Sequence, residues 1–428
     1  MRLLAGLLLV PTLLLACSSS APEPVAQPTP PREAGAGEPP GGGAPACASN
    51  PPTRGSTLPA PRGDSAGALS ADGKILVMFG GDTAVAPCGS VAAAVHDGGS
   101  FLLDVGCGDF TPVDQAPPAR ARHVMLADRA RNRALLFGGR TRKGGSGPYT
   151  LFADLWSFDF AKRAWSELAT QGTAPSPRAN LAAAVDDARG ELVVFGGNTS
   201  TDGLAFAPQN DTFVLDLATS TWRTLDTPAR PPARLFHAMA LDAASRVAWV
   251  VSGGDKNAFL GPFLRDVWKL DLASSTWTKV ETNGDAPLGL INHAAMFDSV
   301  NKRVVVFGGH DDGQVGNQNE IYTLDVATAA WSRMPLGDSL NKPSTKACVF
   351  APDFTTIDKA SPERRSAFVF APRADGQGFF AGFGKGDCGL LGDSHWFSLP
   401  TRRWSPVRPS PVGLSCLRAQ ETCAGLCG

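Results

Sequence analysis

The chain has 428 residues, with 39 Lys and Arg against 40 Asp and Glu, for a formal net charge of −1. That balance argues against a nucleic-acid partner, because the basic stretch from Arg120 to Arg142 is spread over a turn, a strand and a loop instead of forming one patch. Nine Trp and 23 Phe against two Tyr read as packing stock rather than as a binding surface.

At the start, Arg2 precedes an apolar stretch from Leu3 to Leu15 that closes in Leu14-Leu15-Ala16-Cys17. The stretch is short for a bilayer span and runs into polar sequence, so residues 1–16 are expected to be a secretory signal. The Leu-Leu-Ala-Cys ending resembles the bacterial lipoprotein signal. The resemblance implies cleavage before Cys17, lipidation of that residue and, with Ser18 next, sorting to the outer membrane. Residues 17–55 carry Pro, Gly, Ala and Ser with hardly a large apolar side chain, which predicts a disordered tether behind the lipidated cysteine.

From residue 56 to 408 one unit recurs about every 55 residues, the mark of an architecture built by repetition. Each copy has a short apolar run, a charged turn, and a run of β-formers such as Leu192-Val193-Val194-Phe195 or Val304-Val305-Val306-Phe307. That run ends at a glycine pair: Gly80-Gly81, Gly138-Gly139, Gly196-Gly197, Gly253-Gly254 and Gly308-Gly309, with Gly382-Phe383-Gly384 as a degraded sixth. A third strand follows a polar loop, as in Asp211-Thr212-Phe213-Val214-Leu215-Asp216, and a turn leads to the aromatic of the fourth. Those aromatics are Phe110, Trp165, Trp222, Trp277, Trp331 and Trp404. In repeats two to five an acid stands eleven residues before the tryptophan and another six before it. Runs this short and this rich in β-formers predict strands.

The pattern of glycine pair, aromatic-rich third strand and downstream tryptophan resembles the kelch repeat. It implies an all-β fold, a kelch-type β-propeller of six four-stranded blades around a channel. The longer interval from Trp331 to Trp404 is read as a loop insertion near residues 341–363, with a seventh blade as the alternative. Family members that are copper-radical oxidases need a Tyr–Cys crosslink, a second Tyr and two His ligands. Tyr149 and Tyr322 both fit ordinary repeat positions, so no cofactor, metal or catalytic residue is expected. His123, His237 and His293 share one repeat position and are expected to be structural. Arg120 or Arg122, Arg178, Arg234, and Arg364 or Arg365 recur at the same phase as the histidines and are expected to tie blades together through carbonyls and acids, with a ring on one face that holds an anionic ligand as the alternative.

Nine cysteines leave eight once Cys17 is set aside, an even number that suggests disulfides in an exported protein. Cys88 with Cys107 and Cys348 with Cys388 are the candidate pairs. Cys416, Cys423 and Cys427, in the tail 409–428, leave room for a link to Cys47. Variation concentrates in the loops after the glycine pairs, which points to recognition on a rigid ring. His310, Asp311, Asp312, Asn317, Asp202 and Asp255 are the candidate binding residues there. The expected function is non-enzymatic binding of a protein or glycan at the bacterial envelope. The alternative is a carbohydrate-active enzyme (lyase, epimerase or hydrolase) using those acids and His310 at the channel mouth.

Overall fold

The computed structural model describes residues 58–84, 93–145, 147–203, 205–258, 260–311, 316–342, 355–387 and 389–409. Among them the helical segments are two three-residue 3-10 turns, Arg129–Arg131 and Lys143–Gly145. Six antiparallel sheets follow one another at residues 66–113, 124–167, 182–224, 238–280, 294–333 and 369–408. Within each blade, strand order is chain order, so no strand is exchanged when the ring closes. Blades three and five gain a two-residue parallel strand, Gln171–Gly172 and Asn283–Gly284, beside the fourth strand. Among its described residues the insertion contributes a ribbon and not a blade: Ser339–Leu340 pairs with Thr355–Thr356.

Position in the blade explains composition. First strands crowd the axis and are rich in Ala, as in Ala182–Asp186 and Ala294–Asp298. Second strands, sandwiched between neighbouring blades, are continuous Val, Leu and Phe, as in Glu191–Phe195 and Arg303–Phe307. The apolar core is accordingly six layers, one between each pair of adjacent blades, including blade six against blade one.

The phased aromatics fill these layers. Trp165, Trp222, Trp277 and Trp404 meet Phe79, Phe137, Phe195 and Phe307 of the preceding blade at 4.8–5.7 Å between ring centroids. Phe110 meets Phe383 of blade six at 5.9 Å, so the aromatic position of blade one closes the ring. What happens to each indole N–H depends on one residue of the blade before. Trp165 donates to Ser100 Oγ (2.9 Å) and Trp277 to Thr212 Oγ1 (3.3 Å). Leu155 and Ile321 stand at that strand position ahead of Trp222 and Trp404, whose N–H groups have no partner.

Two backbone circuits lock the blades. Asp64, Arg122, Asn180, Phe236, Asn292 and Ala367 all adopt positive φ, 50–60°, and each donates its N–H to the carbonyl of the one before at 2.8–3.0 Å. Arg122 donates to Asp64 and Asp64 donates to Ala367, so the circuit closes. In the second circuit Gly81, Gly139, Gly197, Gly253, Gly309 and Gly384 each donate to the next blade, at Arg120, Arg178, Arg234, Leu290, Arg365 and Arg62 respectively.

The second circuit corrects the glycine alignment of blade four. The pair there is Ser252-Gly253, and Gly254 is the residue after it, because the second strand ends at Val251. The last pair is likewise Phe383-Gly384. The first position tolerates Ser252 and Phe383 in the left-handed region, but the second is Gly throughout, with φ of 97–108°. At Gly309 an added Cβ would lie 2.6 Å from His293 Cβ, so conformation and space both require glycine.

Candidate functional site

The residue after each pair bridges the lead-in to its own first strand: Gly63 with Asp82, Ala121 with Arg140, Ala179 with Asn198, Leu235 with Gly254, Ile291 with His310 and Ser366 with Lys385. Lead-ins and post-pair loops thus share one face. Beneath it, arginines hold the corners of five of the blades. Arg62, Arg120, Arg178, Arg234 and Arg365 are at most 1% exposed. Each donates Nε to the carbonyl two residues before it and Nη1 to the first carbonyl of the pair, and each meets a carboxylate of the third-strand entry. Those acids are Asp97, Asp154, Asp211, Asp266 and Asp393. Burial alone would raise the Asp154 and Asp266 carboxyls, but the facing guanidinium holds both below the usual range. The expected tying role is therefore met within each blade by the side chain, with the arginine carbonyl linking to the blade before. Of the alternatives, Arg120 and Arg365 occupy the position, and Arg62 joins them. The acids six residues before the tryptophans cap turns: Asp159, Asp216, Asp271 and Asp325 each accept two backbone N–H groups.

The three phased histidines are buried beside the axis. His123 and His237 pack on Phe79 and Phe195 of the preceding blade at 5.5 and 5.3 Å. The backbone of Phe79, Phe195 and Val251 lies by the three rings, short of good hydrogen-bond geometry. Burial pushes all three below the ordinary imidazole value, His123 to about 3 and His293 to about 4. They are neutral packing groups, dispersed over blades two, four and five.

The loop candidates are engaged within and between loops. His310 Nδ1 lies 3.3 Å from Asn317 Oδ1, and Asn317 Nδ2 donates to Asp387 at 3.1 Å. Asp311 is buried, accepting from Gln318 Nε2 (2.7 Å) and the Gly316 N–H (3.1 Å). Asp202 accepts from the Ala205 N–H and Asp255 from the Asn257 N–H. These contacts build loops and join none of the acids to His310 as an acid–base pair. Asp312, Cys17, Cys88, Cys348 and Cys388 lie outside the described residues, as do the leader, the tether and residues 410–428. Cys107 is disulfide-bonded, to a partner outside the described residues.

What the face does assemble is a cationic centre. Arg122, Arg140 and Lys385 surround one buried carboxylate, Asp64, which accepts from Lys385 Nζ at 2.6 Å and lies 3.4 Å from Arg122 Nε. Burial would raise the Asp64 carboxyl, but Arg122 and Lys385 outweigh it and hold it well below the carboxylate range. Arg140 is 5% exposed, and its Nε and Nη1 have no hydrogen-bond acceptor. Its guanidinium lies over the Tyr149 ring at 3.8 Å, as does that of Arg142. The Arg142 N–H donates to His96 Nδ1 at 2.9 Å, and Tyr149 donates its N–H to the Thr201 carbonyl at 2.8 Å. Loops of blades one, two and three thus converge on Tyr149. Desolvation first, then the neighbouring Arg122, pushes the Arg140 guanidinium down, so this site favours an incoming negative charge. Sequence reading gave Tyr149 an ordinary repeat position and assigned no role to His96 or Arg142. Their only signal was two arginines within four residues of a glycine pair.

Along the axis, the first strands of all six blades line a channel of about 640 Å³. Asn180, 6% exposed and lining that channel, has both amide atoms unpartnered. Among the described residues there is no group of three or more His, Cys, Asp or Glu placed to hold a metal ion.

The family described as the KLHDC2/KLHL20/DRC7 Kelch-repeats domain matches residues 106–297 and 250–355. The rat Kelch domain-containing protein 10 is 27% identical over 251 residues, 55% of this chain and 57% of the relative. Acyl-CoA-binding domain-containing protein 5 of Arabidopsis thaliana is 29% identical over 202 residues, 47% of this chain and 28% of the relative. The chain spans about half the length of the Kelch domain-containing protein 10 sequences it matches. In fold it is similar to the solved structure of YjhT, with a TM-score of 0.55 and 15% identity over 82% of this chain and 99% of that one.

Proposed function

This chain belongs to the kelch-repeat family, and we propose that it is a non-enzymatic binding propeller engaging a protein or glycan through the face of post-pair loops. The observation that carries this reading is Arg140, a buried guanidinium with two unmet donors on that face. A buried cation without an acceptor costs stability unless something outside supplies one. The partner is accordingly expected to present an acidic group, a carboxylate, sulfate or phosphate, to Arg140, Arg122 and Arg142. Partners captured from solubilised envelopes by the wild-type protein should be lost with Arg140→Gln and with residues 310–318 replaced by Gly and Ser. Acidic probes of a retained partner should bind at least about tenfold more weakly to Arg140→Gln, the loss of one charge-assisted hydrogen bond. Unchanged capture by both variants would remove the reading.

The address is part of the proposal. Residues 1–16 act as the signal, Cys17 carries the lipid and residues 17–55 hold the propeller off the bacterial outer membrane. Cys107 pairs with Cys88 to clip the loop of blade one, and Cys348 pairs with Cys388. Cells fed a clickable fatty acid should label the wild-type protein and not Cys17→Ala. Equal labelling, or recovery of the wild-type protein free of membranes, would count against the anchor.

A further inference from the structure

Blade five breaks the arginine rule. At the position held by Arg62, Arg120, Arg178, Arg234 and Arg365 stands Leu290, whose carbonyl still accepts from Gly253 in the blade-to-blade circuit. Leu290 packs into the apolar layer between blades four and five. The three features that receive a guanidinium in the other blades correspond here to the Leu288 carbonyl, the Gly308 carbonyl and the Glu320 carboxylate. All three residues line one cavity of about 250 Å³, together with Asp285, Pro287, Gln318, Tyr322 and Leu340. The cavity lies where this fold elsewhere places its own arginine.

Glu320 is engaged by two side chains of its own blade. Arg333, on the fourth strand, sends Nη2 to Glu320 Oε1 at 2.6 Å, and Tyr322 donates its hydroxyl to Oε2 at 2.8 Å. Arg333 Nε has no partner, so this pair lacks the two-pronged geometry of Arg120 on Asp154 or Arg234 on Asp266. The cavity wall carries two carboxylates, Glu320 and Asp285, and Arg333, which pairs with Glu320, is not among its lining residues. Its volume is below the roughly 300–1,000 Å³ of sites for drug-sized ligands and suits one side chain.

We propose that this cavity is a guanidinium pocket, filled by an arginine side chain that a partner peptide inserts in place of the missing arginine of blade five. The planar fork donates to the Glu320 carboxylate and the Gly308 carbonyl, and the alkyl stem lies along Pro287 and Leu340. The pocket is separate from the cationic centre around Arg140 and takes ligand of the opposite charge.

The test is calorimetric titration of the full chain with Nα-acetyl-arginine N-methylamide, its citrulline counterpart and methylguanidinium. The arginine amide should bind saturably, and citrulline, of like shape but uncharged, at least about tenfold more weakly. Methylguanidinium should also be at least about tenfold weaker, because it lacks the stem. Leu290→Arg restores the internal arginine and should abolish binding without lowering the unfolding midpoint. If that variant does not fold, Glu320→Gln serves instead, with an expected loss of about tenfold or more. Arg140→Gln should leave arginine-amide binding unchanged, so failure of the face reading and failure of this pocket are distinguishable. No saturable binding, equal binding of citrulline, methylguanidinium as tight as the arginine amide, or binding that survives in the folded Leu290→Arg or Glu320→Gln protein would each overturn the proposal.

Discussion

Arg178→Leu is expected to destabilise the propeller by about 3–5 kcal/mol, the range for removing one partner of a buried ion pair. The guanidinium is 1% exposed. It donates to the Ser176 and Gly196 carbonyls at 3.0 Å each and clamps Asp211 through both oxygens, at 2.5 and 3.0 Å. Leucine fills part of the space but leaves a carboxylate and two carbonyls without their donor. Blade five shows what a tolerated leucine at this position requires, since Arg333 on the fourth strand reaches Glu320 from the other side. Thr224 occupies the matching place in blade three, opposite Phe213 as Arg333 is opposite Tyr322. Adding Thr224→Arg to Arg178→Leu should therefore recover a substantial part of the loss. Denaturant midpoints followed by tryptophan fluorescence measure both. A loss under about 1 kcal/mol for Arg178→Leu would mean that the corner arginines do not hold the blades, since surface pairs are worth that little.

The ring was legible because its signals are local and repeated. A tryptophan needs one wedge per blade and a glycine needs one close approach, so both recur at fixed offsets. The limits of that legibility are equally physical. In blade four the dipeptide Gly253-Gly254 mimics the pair, but the left-handed residue is Ser252, whose positive φ nothing in its chemistry announces. The six residues of the inner circuit share a conformation and no composition, running from Asp64 to Phe236 to Ala367. The arginine phase was visible and acids were expected as its partners, but which acid faces which arginine was not. Without that pairing, Leu290 was one more apolar residue and not a missing cation.

The candidate site was less legible for a related reason. His96, Arg142, Tyr149 and Thr201 come from loops of three blades and meet only after the ring closes. Loop lengths differ between blades, so no offset carries the signal. Conversely, His310 and Asp311 drew notice as charged groups after a glycine pair. Folding engages them with Asn317, Gln318 and Gly316, which makes them the frame of a loop whose Gln318 lines the blade-five pocket.

Mild acid should destabilise this protein well before its carboxylates titrate. His123, His237 and His293 are buried and held neutral, with folded values of about 3 for His123, about 4 for His293 and well below the ordinary value for His237. Burial is the first cause in each case. Arg120 adds to it at His123, and Arg234 and His293 add to it at His237, while Asp154 and Asp64 oppose it weakly at His123. In the unfolded chain each imidazole titrates near 6.5. Between pH 6.5 and about 4 the unfolded state therefore binds protons that the folded state refuses, and stability falls as pH falls. One unit below 6.5 this amounts to about 1.4 kcal/mol each for His123 and His293, roughly 3 kcal/mol together at pH 5.5, with His237 acting in the same direction. Asp64 and Asp393 are shifted the other way, and their contribution is lost only below the ordinary carboxylate value, in a separate and lower window. Leu181 and Phe368 stand at the histidine position in blades three and six and show that apolar side chains fit there. The triple variant His123→Leu, His237→Leu, His293→Leu should fold at neutral pH and show nearly flat denaturant midpoints between pH 7.5 and 5.5, where the wild type drops steeply. Equal slopes in the two proteins would mean that the histidines are hydrated in solution and are not the neutral packing groups their burial implies.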